Sequence, residues 1–266
     1  MKKNHTTRPA RKTGAIALLL WAFLTTLAIY GCALEASQRK PMMTLFIGLD
    51  ESGSFTSSRY YNDALTFTAN YIYGHLNELG GLSKPRELFV GSVGGKALDD
   101  PKTFHPIHDF EGKSVSDIEE SLKLWFPPND KVTDFNAFFE KTAQLVKERN
   151  LILTPITLVI VSDGIPDIPI GDAKAGSKVL YEKINLDPLE YLARNITVRL
   201  LYPSPKVAED WRKFVPRNRV RLWTVEADVM TGWQHQVQSE VELPKQERLW
   251  KWVQDTVDFR VRSSKI

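Results

Sequence analysis

Hydrophobic positions along this chain fall into two patterns: short unbroken runs, and longer stretches where they recur every three or four residues. The runs Thr44–Leu49, Glu87–Val93, Ile156–Val161, Ile196–Tyr202 and Val220–Val225 predict strands. Ile156–Val161 (ITLVIV) is almost wholly aliphatic and β-branched, which predicts a central strand covered on both faces. Thr103–Phe110 predicts a further, short strand. Helical spacing marks Arg59–Leu79 (Tyr61, Leu65, Thr68, Ile72, Leu76, Leu79), Ser116–Phe126, Phe135–Lys147, Pro188–Arg194, Val207–Phe214 and Arg248–Val257. Ser57 or Ser58 is the expected cap of the first of these helices, and Gly80-Gly81 its end. Thr133 is the expected N-cap of the helix that starts at Phe135. Strands alternating with helices predict one α/β domain, doubly wound around a largely parallel sheet and spanning residues 44–259.

The start of the chain follows another pattern. Gly14–Leu34 is an uncharged, mostly apolar stretch behind Lys2, Lys3, Arg8, Arg11 and Lys12. As a helix it would span about 31 Å, enough to cross a bilayer core. Residues 1–35 therefore read as a signal or anchor segment, 36–43 as a linker and 260–266 as a tail. Ile29-Tyr30-Gly31-Cys32 resembles a bacterial lipobox, with Cys32 the residue to be acylated, although Tyr30 stands where a small residue is usual. A retained anchor, a lipoprotein signal ending at Cys32 and a cleaved secretory signal are the competing readings. A retained or acylated segment leaves the basic flank in the cytoplasm and the domain membrane-tethered on the extracytoplasmic side, periplasmic or at the cell surface.

The leader also changes the meaning of the charge. The net charge of +3 includes five basic residues in the first 13 positions; beyond them stand 30 Lys and Arg against 32 Asp and Glu. The balance outside the leader thus argues against nucleic-acid binding. Cys32 is the only cysteine, so stability must come from a core without an intrachain disulfide.

Chemistry concentrates where strands are expected to end, the place ligands occupy in an open parallel sheet. The first run exits into Asp50-Glu51-Ser52-Gly53-Ser54, and Ile156–Val161 exits into Ser162-Asp163-Gly164. Between them, Thr133-Asp134 precedes the helix at Phe135. Carboxylates and hydroxyls without soft donors suit a hard divalent cation, Mg²⁺ or Mn²⁺. Taken singly, each piece has a plain use: Asp50 in a strand-end turn, Ser52 and Ser54 in a local turn or cap, Ser162-Asp163-Gly164 in a tight turn.

Together, Asp50-x-Ser52-x-Ser54, Thr133-Asp134 and Ser162-Asp163-Gly164 resemble the metal-ion-dependent adhesion site of von Willebrand factor type A domains. The resemblance implies a doubly wound fold, a bound Mg²⁺ or Mn²⁺, and a non-catalytic role in binding a carboxylate of a protein partner. It also implies roles: Ser52 and Ser54 coordinating through their hydroxyls, Thr133 directly or through water, and Asp50 and Asp163 mainly through water. In such domains the last helix can move on binding, which here would be Arg248–Val257. The spacing from Asp50 to Thr133 is longer than usual for the family, which points to an insertion around Asp99–Asp130 and leaves the third strand and its helix unsettled.

Other readings remain. Leu49-Asp50-Glu51-Ser52-Gly53 also resembles a strand-end motif of ribonuclease H-like nucleases, in which Asp50 and Asp163, with Glu51 or Asp167, would gather two metals. That fold requires an antiparallel strand where Arg59–Leu79 reads as helix. Trp211, Trp223, Trp233, Trp250 and Trp252 would serve either as a contact surface or as core. Arg212, Lys213, Arg217, Arg219 and Arg221 form a basic cluster, either a solvated face or a contact for an acidic partner or anionic lipid. His75, His105, His108 and His235 have no spacing typical of a metal or catalytic motif, and no nucleotide-binding Gly-rich loop is present.

Overall fold

The computed structural model describes residues 43–95, 103–128 and 132–259. The N-terminal segment with Cys32, nearly all of the linker, Lys131 and the 260–266 tail lie outside the described residues. No helix among the described residues is long and apolar enough to cross a membrane.

Six strands form one sheet: β1 (Met43–Leu49), β2 (Pro85–Ser92), β4 (Phe104–Pro106), β6 (Ile156–Val161), β7 (Ile196–Leu201) and β8 (Arg221–Val225), in the order β4-β2-β1-β6-β7-β8. All neighbours are parallel except β4, which runs antiparallel to β2. A separate two-stranded ladder joins β3 (Gly94–Gly95) to β5 (Val132–Thr133). Burial follows the two-residue period of the strands. Leu45, Ile47 and Leu49 of β1 and Val159 and Val161 of β6 enter the core on one face of the sheet. Phe46, Leu158 and Ile160 enter the core on the other. The sheet is thus covered on both sides, as the sequence pattern predicts.

On the first face lie α2 (Tyr61–Leu76), α3 (Val115–Trp125) and α9 (Glu247–Thr256). The second face carries α4 (Phe135–Glu148) and α7 (Pro205–Phe214), with Trp211 fully buried. Short helices α1 (Gly53–Thr56), α5 (Lys178–Tyr181), α6 (Asp187–Glu190) and α8 (Ala227–Met230) complete the chain. Gly48 lets α4 close onto β1: a Cβ there would stand 2.6 Å from both the Phe138 ring and Val93.

Several local expectations change. Neither Ser57 nor Ser58 caps α2; its N-cap is Tyr60, without a side-chain bond, because α1 takes up the residues just before it. Thr133 does not cap α4. Asp134 does, its Oδ1 accepting from the backbone of Asn136 (3.0 Å) and Ala137 (3.1 Å). The unsettled third strand is an edge strand of three residues, followed by a helix fixed by a capping box between Ser114 and Asp117. Among the described tryptophans, Trp211, Trp233 and Trp250 are core, and Trp223 is exposed, at 37%. The first two long strands are parallel and joined through α2, so the strand order a ribonuclease H-like fold requires is absent.

Candidate metal centre

The chain leaves β1 in one direction along the sheet, toward β2, and returns on the other side, to β6. The exits of β1 and β6 therefore lie side by side at the point where strand order reverses, where a crevice opens in doubly wound sheets. Asp50 and Asp163 stand at those two exits.

Asp50 is almost wholly buried, and its two oxygens are held separately. Oδ1 accepts from the Ser52 amide at 2.9 Å, and Oδ2 accepts from the Ser162 hydroxyl at 2.5 Å. Ser162 Oγ in turn accepts from the Gly164 amide at 2.8 Å. Gly164 has φ +75°, a conformation that admits glycine readily, and its carbonyl accepts from Trp211 Nε1 at 2.7 Å. This turn holds Asp163 half-buried, with Oδ1 accepting from the Ile165 amide at 3.0 Å and the Ser54 hydroxyl also bonded to its carboxylate. The Ser52 and Ser54 hydroxyls lie 3.2 Å apart. Four of the five expected residues, Asp50, Ser52, Ser54 and Asp163, thus form one cluster.

Thr133 reaches the same end of the sheet through backbone ladders. Val93 donates to the Leu49 carbonyl at 2.8 Å, so the chain leaves β2 for β3 beside the end of β1, and Gly94 pairs with Thr133. The Thr133 amide donates to the Asp167 carbonyl at 2.9 Å. Its hydroxyl is buried and makes no hydrogen bond. A buried, unpaired hydroxyl costs about 1–3 kcal/mol and calls for a partner.

The electrostatics carry the same tension. Burial and the nearby Asp163 push the Asp50 carboxyl up to about 7, against the opposing effect of its Ser162 and Ser52 bonds. Burial also raises Asp163. Tyr61 is pushed up to about 12 by burial and then by Glu51 and Asp50. A buried carboxyl, Asp50, raised by burial and by the nearby Asp163, at the same end of the sheet as an unpaired hydroxyl, fits a divalent cation that would relieve both penalties. Among the described residues, no group of three or more His, Cys, Asp and Glu could hold a metal ion; the oxygens gathered here are the Asp50 and Asp163 carboxylates and the Ser52 and Ser54 hydroxyls, all hard donors. Ser54 is exposed, which leaves the cluster open to solvent on that side.

Sequence reasoning treated Ser162 only as part of a motif. The signal for its role was its place, the first polar residue after a buried strand. Asp167, a metal ligand in the nuclease reading, holds Thr133 through its backbone carbonyl. Among the histidines, His75 is fully buried with Nδ1 2.9 Å from the Ser83 carbonyl, and His105 stacks on Trp125 at 3.9 Å.

No family model matches the chain. No curated protein matches it either. Solved structures do resemble it in fold. Proximal thread matrix protein 1 of the mussel byssus is 12% identical with a TM-score of 0.42, over 74% of this chain and 47% of that one. The pilus adhesin SpaC of Lactobacillus rhamnosus GG, in its open conformation, is 8% identical with a TM-score of 0.47, over 82% and 31%. The SpRpn10 VWA domain is 11% identical with a TM-score of 0.41, over 82% and 96%. The chain thus matches less than half the length of the first two. Another crystal of the byssus protein is described as having a zinc-occupied MIDAS motif.

Proposed function

We infer that this chain is a von Willebrand factor A-type module that binds a carboxylate of a protein partner through a divalent cation, Mg²⁺ or Mn²⁺, and is not an enzyme. The observation that carries the reading is the buried Thr133 hydroxyl without a partner, at the same end of the sheet as Asp50, whose carboxyl is raised by burial and by Asp163. When bound, the cation would supply a positive centre for an incoming Glu or Asp. Ser52, Ser54 and Thr133 would hold it through hydroxyls. Asp50, fixed by Ser162 and the Ser52 amide, would orient the Ser52 hydroxyl, and Asp163 that of Ser54. Few anionic donors would touch the ion, which leaves it able to attract an external acid.

The N-terminal segment would tether this module to a membrane, by a retained helix or through Cys32, with the site on the extracytoplasmic side. The test uses the full chain in mild detergent, which serves either form of the segment. A Glu-containing peptide should bind in Mg²⁺ and dissociate in EDTA, and its Gln counterpart should not bind. Binding of both peptides alike, or indifference to EDTA, would remove the reading.

A further inference from the structure

β8 is an edge strand of the sheet, with its outer side unpaired among the described residues. Arg221–Val225 pair in parallel with Thr197–Leu201 of β7, and among the described residues no backbone group is bonded to the opposite side. Edges of this kind are blunted by charged side chains, by proline, by a bulge or by shortness, and β8 has only its Arg221 and its five-residue length. RLWTV contains no lysine, proline or bulge, and the ring of Trp223 stands in the middle of the edge, 37% exposed.

Both faces of the edge carry arginine. Side chains alternate along the strand, so Arg221 and Trp223 share one face and Thr224 the other. On that second face, Arg212 Nη1 donates to the Thr224 hydroxyl at 2.8 Å. One strand inward, Arg199 is the cross-strand partner of Trp223. It is 5% exposed, and its Nη2 donates to the Phe259 carbonyl at 2.8 Å, while Nε and Nη1 make no hydrogen bond. The Phe259 ring lies over the guanidinium at 4.8 Å and edge-on to Trp223 at 5.1 Å. The charge agrees: residues 206–221 hold six Lys and Arg against two Asp and Glu, while the rest of the chain beyond its leader holds 24 against 30.

We propose that the outer side of β8 is a docking strand that takes an extended, acidic segment of a partner protein by β-strand addition. The free N–H and C=O groups of Arg221–Val225 supply the pairing, Arg221 and Arg212 receive acidic side chains on either face, and Trp223 covers the apolar part of the segment. An anionic membrane would use the same charges but offers nothing to the open backbone groups.

The test uses the full chain in mild detergent with EDTA present, so that carboxylate capture at the cation site contributes nothing. The probe is a fluorescein-labelled eight-residue peptide alternating Glu and Thr, followed by anisotropy. Expected are saturable binding that weakens with salt and at least ten-fold weaker binding to Trp223→Ala and Arg221→Glu, both checked for an unchanged melting temperature. A peptide N-methylated at alternate residues should also bind at least ten-fold more weakly. Equal binding of the N-methylated peptide would reduce the contact to charge alone and overturn strand addition. So would phosphatidylglycerol vesicle binding that is lost in Arg221→Glu while the peptide fails to bind.

Discussion

The Ser162 hydroxyl donates to Asp50 Oδ2 across 2.5 Å and, at the same oxygen, accepts from the Gly164 amide at 2.8 Å. One side chain thus ties the exits of β1 and β6 together and sets the carboxylate that faces Asp163. Ser162→Ala leaves an amide and a carboxylate oxygen unsatisfied in a buried place. The expected loss is about 1–3 kcal/mol of stability, measured by urea unfolding, together with weaker Mg²⁺ binding.

The pH dependence follows from Asp50. Its folded pKa, pushed up to about 7, lies above its ordinary value of 3.8, so the folded state holds the proton more tightly than the unfolded one. Without metal, stability from this group is therefore fully present below about pH 4 and is lost as pH rises toward 7. Asp163 is shifted in the same direction. Asp50→Asn should flatten the metal-free stability profile between pH 4 and 7 and stabilise the metal-free protein at pH 8 by about 2–4 kcal/mol. The same substitution should abolish the response to Mg²⁺. Thermal melts across pH, with and without Mg²⁺, check both. In the wild type a cation must displace the proton, so Mg²⁺ affinity should fall as pH drops below 7.

Thr133→Val keeps the shape of the side chain and removes the unpaired hydroxyl. Metal-free stability should hold or rise slightly, because a buried unsatisfied group is lost. Mg²⁺ affinity, followed by calorimetric titration, should fall at least ten-fold. An unchanged affinity would show that the hydroxyl takes no part in the site.

Gly48→Ala drives a methyl to within 2.6 Å of the Phe138 ring and of Val93. Overpacking of this kind costs about 1–3 kcal/mol. Phe138→Leu in the same chain should recover part of the loss. Chemical denaturation of the single and double variants measures the coupling.

Much of this was legible in sequence because it depends on periodicity. ITLVIV could be little else than a covered strand, and the exits at Asp50 and Ser162-Asp163-Gly164 followed from where the runs stop. What depends on choice between neighbours was not. Thr133 and Asp134 are both good caps, and only the fold shows that Asp134 reaches the amides of Asn136 and Ala137, which frees Thr133. The ladder between Gly94-Gly95 and Val132-Thr133 is two residues long and leaves no pattern in sequence, yet it brings Thr133 to the site. Burial of the tryptophans was equally hidden, since a Trp in a helix reads alike whether it faces the sheet, as Trp211 does, or solvent.

The central claim is that Asp50, Ser52, Ser54, Thr133 and Asp163 hold a divalent cation. Its most direct test is the melting temperature of the full chain in mild detergent as Mg²⁺ is titrated, for the wild type and for Asp163→Ala. The account predicts a saturable rise in the wild type, reversed by EDTA, and none in the variant. A wild-type melting temperature that does not respond to Mg²⁺ or Mn²⁺, or an equal rise in Asp163→Ala, would contradict it.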